Sequence, residues 1–307
     1  MTWRDRLDPA LRGFADARTV LTDAQVKVIR SSLDARRREA VHALATSGVR
    51  IAEARVAAGR RSVGIRIYRG GPAPAPAVIY CHSGAFVLGN LDTDHLQCVE
   101  LARRARCTVV SVDYRLAPEY PYPAGFDDVR AVLDWVVEAA AEIDVDADRI
   151  AVAGSSAGGA LAALLAQHAA DGGAPPILFQ VLHQPVLDDR PTPSKGEFTD
   201  TPGFDGPATV AMWRHYGGGA EVPEFAVPAR TAEVSRLAPA LITCSELDPL
   251  RDEGLDYARR LLDAGVPAGL HVFAGTCHGF DSLLPDWEVS RQLFALQGLA
   301  LRRALHG

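Results

Sequence analysis

RIAVAGSSAGGALAALL, residues 149–165, is the stretch on which the reading of the fold turns. RIAVAG is apolar at nearly every position, as a strand buried on both faces must be, and AGGALAALL has the small and straight-chain residues of a buried helix. Two serines and their flanking glycines stand between them, so the strand passes into the helix through a tight turn. Centred on Ser156, the frame Gly154-Ser155-Ser156-Ala157-Gly158 matches G-x-S-x-G; centred on Ser155 it would put Ala153 and Ala157 where glycines are required. A nucleophile on a sharp strand-to-helix turn needs that spacing, because side chains at the flanking positions collide. Ser156 is therefore the candidate nucleophile, and the helix start behind it favours negative charge. The plainer alternative is a serine that caps an ordinary helix.

Outward from this turn, from residue 76 on, short apolar runs alternate with longer amphipathic segments. APAVIYCH, CTVVSVDY, PILFQVLHQP, PALITCSE and AGLHVFAG read as strands; HLQCVELARRA, FDDVRAVLDWVVEAAAEI, LDYARRLLDAG and the C-terminal WEVSRQLFALQGLALRRAL read as helices. This β-α-β-α rhythm predicts an α/β fold with a mainly parallel sheet between helices. VRIAEARVA and VGIRIYRG, joined by a Gly-Arg turn, predict an antiparallel hairpin at one edge. Two regions break the rhythm. Residues 1–46 read as helices, and residues 188–230 are rich in Pro and Gly with a short helix near Met212. Insertions of that length are usually functional, so both are expected to form one helical cap over a core of residues 47–187 and 231–307.

The chain has 307 residues and is 48% hydrophobic, enough for a large core. Its net charge of −6 is spread among interleaved acidic and basic residues, which excludes a nucleic-acid footprint and favours a small-molecule partner. MTWRDRLDPALRGF has no apolar stretch of signal-peptide length and no run reaches membrane-span length, so a cytoplasmic protein without membrane insertion is expected. The five cysteines are scattered and mostly inside apolar runs, as buried thiols in a reducing compartment would be.

A serine hydroxyl needs a base to take its proton and an acid to orient that base. On a sheet of this kind the acid follows the serine and the histidine comes last. Four histidines follow Ser156 by enough to qualify: His215 lies in the expected cap, His271 within a strand and His306 at the terminus; His278, just after the strand AGLHVF, remains. Asp248 follows the strand PALITCSE, so it shares the C-terminal edge of the sheet with Ser156 and His278, where sites on open α/β sheets form. Glu246, Asp252 and Glu253 are fallback acids. The tetrahedral oxyanion needs backbone amides: Ala157 should supply one, and the loop YCHSGAFVLGN (80–90) is placed to supply others.

HSGAF, DYRLAPEYPYPA (113–124), GSSAGG, ELDPLRDEG (246–254) and CHGF (277–280) occur in the order and spacing of the hormone-sensitive-lipase-like branch of α/β-hydrolases. The chain resembles this branch, which includes bacterial carboxylesterases of the heroin-esterase type, over about residues 45–305. The resemblance implies an α/β-hydrolase fold with a helical cap, Ser156 as nucleophile, His278 as base, Asp248 as orienting acid, and the amides of Gly84, Ala85 and Ala157 as oxyanion hole. Two departures from the family pattern stand out. The usual H-G-G-G is His82-Ser83-Gly84-Ala85, and the usual G-D-S-A-G-G has Ser155 in place of Asp. Ser155 is expected to act by local hydrogen bonding behind the site, and His82 to brace the oxyanion loop. Tyr114 and Arg115 read as a loop brace, and Asp127 and Asp128 as capping charges.

The function implied is a serine carboxylesterase acting on short-to-medium acyl esters through an acyl-enzyme, with no cofactor and no metal. An amidase, formamidase or peptidase with the same triad, or a non-catalytic receptor on the same fold, are the alternatives. Phe86, Phe204, Trp213 and Tyr216 are candidate walls of the substrate pocket. Cys81 and Cys277 each precede a site histidine, so bulky thiol reagents are expected to inactivate the protein. A homodimer is the default assembly.

Overall fold

The computed structural model describes residues 2–44 and 46–307. Among them eight strands form one sheet: β1 (Arg50–Ala58), β2 (Arg61–Arg69), β3 (Ala75–Cys81), β4 (Thr108–Asp113), β5 (Val145–Ser155), β6 (Phe179–His183), β7 (Ala240–Leu247) and β8 (Ala268–Cys277). Their order across the sheet is β1-β2-β4-β3-β5-β6-β7-β8. β1 and β2 form the antiparallel edge hairpin, β2 pairs antiparallel with β4, and every pair from β4 to β8 is parallel.

The helices are α1 (Trp3–Arg6), α2 (Asp23–Ala43), α3 (His95–Ala105), α4 (Ala124–Glu138), α5 (Ala157–Ala170), α6 (Pro193–Glu197), α7 (Gly206–Tyr216), α8 (Arg251–Asp263), α9 (Phe280–Leu283) and α10 (Glu288–His306). Strand alternation sorts the side chains into two layers. Ala77, Ile79 and Cys81 of β3 face the layer built by α4, α5 and α8, while Val78 and Tyr80 face α3 and α10. Both faces of the central strands are thereby dry, which is why their sequences run apolar without alternation.

Two strands differ from expectation. β5 begins at Val145, because Val145 and Asp146 pair with Ala75 and Pro76 before an irregularity brings Ile150 opposite Ala77. β8 is apolar yet largely exposed, with Leu270 and Val272 at 42% and 37%. It is the last strand of the sheet, so among the described residues its outer edge has no partner strand.

The N-terminal segment and residues 188–230 touch one another. His215 Nε2 donates to Leu21 O at 2.8 Å, Arg214 pairs with Asp23 at 2.8 Å, and Gly203 N donates to Ala17 O at 3.1 Å. Residues 7–14 behave otherwise: Leu7 and Leu11 pack with Leu247, Phe273, Phe280 and Phe294 at the β7–β8 end of the core. Met1 and Ala45 of the expected 1–46 cap segment lie outside the described residues. Among the described residues no helix is long and apolar enough to cross a membrane.

Candidate active site

Ser156 sits between β5 and α5 with φ 55° and ψ −119°, a left-handed conformation that costs a non-glycine residue about 1–3 kcal/mol. Tertiary structure holds it there: Ser156 N donates to His183 O at 2.8 Å, and Val186 N donates to Ser156 O at 3.0 Å. The motif glycines have a plain steric cause. A Cβ on Gly154 would lie 2.2 Å from Gly158 O, and one on Gly158 would lie 2.0 Å from Cys81 O. The helix start can reach the end of β3 only without those side chains.

Three strand ends bring the candidate triad together. Ser156 Oγ lies 2.9 Å from His278 Nε2, and His278 Nδ1 lies 2.8 Å from Asp248 Oδ2. The network assigns the proton of the neutral imidazole to Nδ1, leaving Nε2 to accept from the serine. Asp248 is 1% exposed and also accepts from Leu250 N at 2.9 Å. Burial disfavours the imidazolium of His278, but the adjacent Asp248 carboxylate outweighs it and the pKa lies above the ordinary histidine value. Gln184, in the loop after β6, clamps the His278 loop from behind: its Oε1 accepts from Gly279 N at 2.8 Å and its Nε2 donates to Cys277 O at 3.3 Å.

The fallback acids have other partners. Glu246 accepts from Arg6 and from Gly275 N, Asp252 accepts from Ser194 N, and Glu253 accepts from Leu187 N and forms an ion pair with Lys195 at 2.6 Å.

In the 83–88 loop, Ala85 and Phe86 have φ of 55° and 60°, and the amides of Gly84 and Ala85 donate to no protein acceptor among the described residues. Asp94 anchors this loop, accepting from Ser83 N at 2.8 Å, Ser83 Oγ at 2.9 Å and Tyr80 OH at 3.0 Å. His82 is buried, its Nδ1 lies 2.8 Å from Ser83 O, and its ring stacks on Tyr114 at 4.2 Å. Burial pushes its pKa down to about 4, so it is a neutral strut. Tyr114 OH donates to His82 O at 2.8 Å, and Arg115 grips Asp128 through Nε at 2.8 Å and Nη2 at 3.0 Å. Asp128 is thus no capping charge: it is buried and receives both Arg115 and Arg61.

A cavity of about 410 Å³ opens over Ser156 and His278. Phe204 lines it, its ring 5.0 Å from that of His278. Phe86, Trp213 and Tyr216 do not line it. They stack on one another, Phe86 on Tyr216 at 3.9 Å and on Trp213 at 5.9 Å, and belong to the large buried core that also holds Ile79 and Cys81 of β3. Ser155 also departs from expectation: it lines the cavity itself and makes no side-chain hydrogen bond among the described residues. Sequence reasoning passed over Arg36 and Arg37 of α2, which line the cavity too; nothing in the charged run of α2 distinguishes them from a solvated face.

Cys81 and Cys277 are fully buried, and burial raises both thiols, Cys277 to about 12. Thiol reagents therefore meet neither an exposed sulfur nor a thiolate, contrary to the expectation from their place beside the histidines.

The profile described as alpha/beta hydrolase fold matches residues 78–282. This chain belongs to that family. Esterase LipI of Mycobacterium tuberculosis is 38% identical to this α/β-hydrolase over 98% of the chain and 96% of its own length. The crystal structure of esterase LipW from Mycobacterium marinum superposes with a TM-score of 0.97 at 57% identity, covering 99% of this chain and 98% of that one. A bacterial heroin esterase superposes with a TM-score of 0.91 at 36% identity over 100% of both chains. These relatives place the chain in the hormone-sensitive-lipase-like branch of the family.

Proposed function

We propose that this α/β-hydrolase is a serine carboxylesterase that cleaves short-to-medium acyl esters through a covalent acyl-enzyme. The observation that carries the reading is the chain of hydrogen bonds Ser156–His278–Asp248, at 2.9 and 2.8 Å, opening into a cavity. Ser156 Oγ attacks the ester carbonyl as its proton passes to His278 Nε2; the amides of Gly84, Ala85 and Ala157 receive the oxyanion. The imidazolium returns the proton to the departing alcohol, and His278 then takes a proton from water, whose oxygen attacks the acyl-enzyme and releases the acid. Asp248 holds the tautomer and offsets the transient charge. Phe204, Leu33, Leu88 and Leu283 give the cavity apolar walls for an acyl chain, and its volume of about 410 Å³ supports a limit on chain length.

Hydrolysis of p-nitrophenyl esters from acetate to decanoate by wild type and Ser156→Ala tests this. The expected result is turnover that peaks at short chains and falls by about 10⁴-fold or more in the variant. Turnover that climbs all the way to decanoate would overturn the chain-length preference, and equal turnover in Ser156→Ala would overturn the nucleophile.

The assembly in this reading is a homodimer through β8, whose open edge carries Leu270 and Val272 to solvent. Light scattering should give twice the chain mass, and Leu270→Lys should lower it. The five buried free thiols support a reducing, cytoplasmic setting.

A further inference from the structure

The cavity is lined by two arginines and by no acidic side chain among the described residues. Arg37, on the face of α2 turned to the site, is the unusual one. Its Nη1 is buried without a hydrogen-bond partner, and among the described residues no carboxylate oxygen lies within 4.0 Å of its guanidinium. The nearby acids do not complete it. Asp94 spends its oxygens on Ser83 and Tyr80. Asp34, one turn back on α2, also leaves a buried Oδ1 without a hydrogen-bond partner, so the two charges are not joined. Burial lowers the pKa of Arg37, with Asp94 and Asp34 opposing from a distance. Arg37 as a whole is half-buried, but the donor at its Nη1 is shut away from water without an acceptor, which is costly unless a ligand in the cavity supplies one. Arg36 adds a second, exposed cation at the rim, its own contact being a long 3.4 Å bond to Ser32 O.

We propose that Arg37, supported by Arg36, selects esters that carry a carboxylate on the flank lying along α2, so that the substrate class is anionic half-esters and acyl derivatives of hydroxy acids. A planar guanidinium takes a carboxylate in two parallel hydrogen bonds, and in this partly dry cavity the pair is worth more than on an open surface. The proposal rests on the esterase reading and refines it, since it concerns recognition beside the triad rather than the chemistry at Ser156.

Two matched substrate pairs test it at low salt. 4-Acetoxybenzoate against its methyl ester reports an anion on the alcohol side, and monoethyl succinate against diethyl succinate reports one on the acyl side. In at least one pair kcat/KM should favour the anion by about tenfold, mainly through KM, and the ratio should shrink as sodium chloride is added. Arg37→Gln should bring that ratio toward one, and Arg37→Lys should retain part of it. The salt response of the wild type and competitive inhibition of methyl 4-acetoxybenzoate hydrolysis by benzoate need no variant. An anion-to-neutral ratio near or below one in both pairs overturns the proposal, as does a preference that Arg37→Gln leaves intact. Neutral esters hydrolysed without anion preference sink only this inference; no ester hydrolysed at all sinks the function beneath it.

Discussion

The turn at Ser156 and the proposed cap, residues 1–46 with 188–230, are built by different means. At the turn, backbone approaches backbone so closely that two positions admit only glycine, and the conformation of Ser156 follows from excluded volume. In the cap, long side chains do the joining. Arg30 of α2 donates to Val87 O at 2.9 Å and to Ala117 O at 3.1 Å, Arg214 of α7 pairs with Asp23, and Lys195 of α6 pairs with Glu253 of α8. Trp213 and Tyr216 of α7 also stack against Phe86 of the 83–88 loop. A steric constraint acts on any sequence that enters the turn. A web of ion pairs and ring contacts can be rewired residue by residue, so the cap can change what the site accepts while the turn keeps what it does.

The sharpest way to break this contrast is at the acid. Asp248→Asn should lower kcat for p-nitrophenyl acetate by about 10⁴-fold, since it stabilises the wrong tautomer of His278, while Glu246→Gln should change it by less than about threefold. Comparable losses in both would mean that the hydrogen-bonded geometry does not define the triad. In the cap, Lys195→Met strands a buried carboxylate and should cost about 3 kcal/mol in chemical unfolding, with turnover of the folded enzyme little changed. An unaltered unfolding midpoint would remove the ion pair from the account of the cap.

The pH profile ties the two regions through His278. Its base form is needed, and the folded pKa is raised by Asp248, so kcat/KM should fall as pH drops through a midpoint above the ordinary value of about 6.5. A flat profile down to pH values where carboxylates titrate would contradict the assignment. The smallest effect belongs to Tyr216→Phe: this hydroxyl is buried with no hydrogen-bond partner among the described residues, so its removal should change stability by less than about 1 kcal/mol. It should also leave the acyl-chain preference in place, because the ring packs inside the cap. A shifted chain-length optimum would put Tyr216 back on the substrate's path.

How far the sequence could be read depended on the range of the forces involved. Strand and helix periods, the G-x-S-x-G spacing and the positions of Asp248 and His278 just after strands are local patterns, and they led to the eight-stranded α/β core and to three side chains that converge. Asp94 was missed because its partner Ser83 is eleven residues away, across a loop whose course no local pattern announces. Phe86, Trp213 and Tyr216 read as pocket walls in the sequence because a lone aromatic near a site has the same signature whether it faces a ligand or its neighbours. Asp128 was mistaken for a capping charge because the start of α4 invites one, whereas two arginines reach it from other elements.

By itself the sequence determined the fold class, the order of the elements and which serine, histidine and aspartate stand at the strand ends, because hydrophobic period and turn sterics act within a few residues. Tertiary structure alone decided that Arg37 enters the cavity without a bonded anion, that three of the aromatics turn inward, and that β8 leaves its edge open. Those outcomes depend on which surfaces meet after the chain has folded, and burial and charge take their energetic meaning only from that meeting.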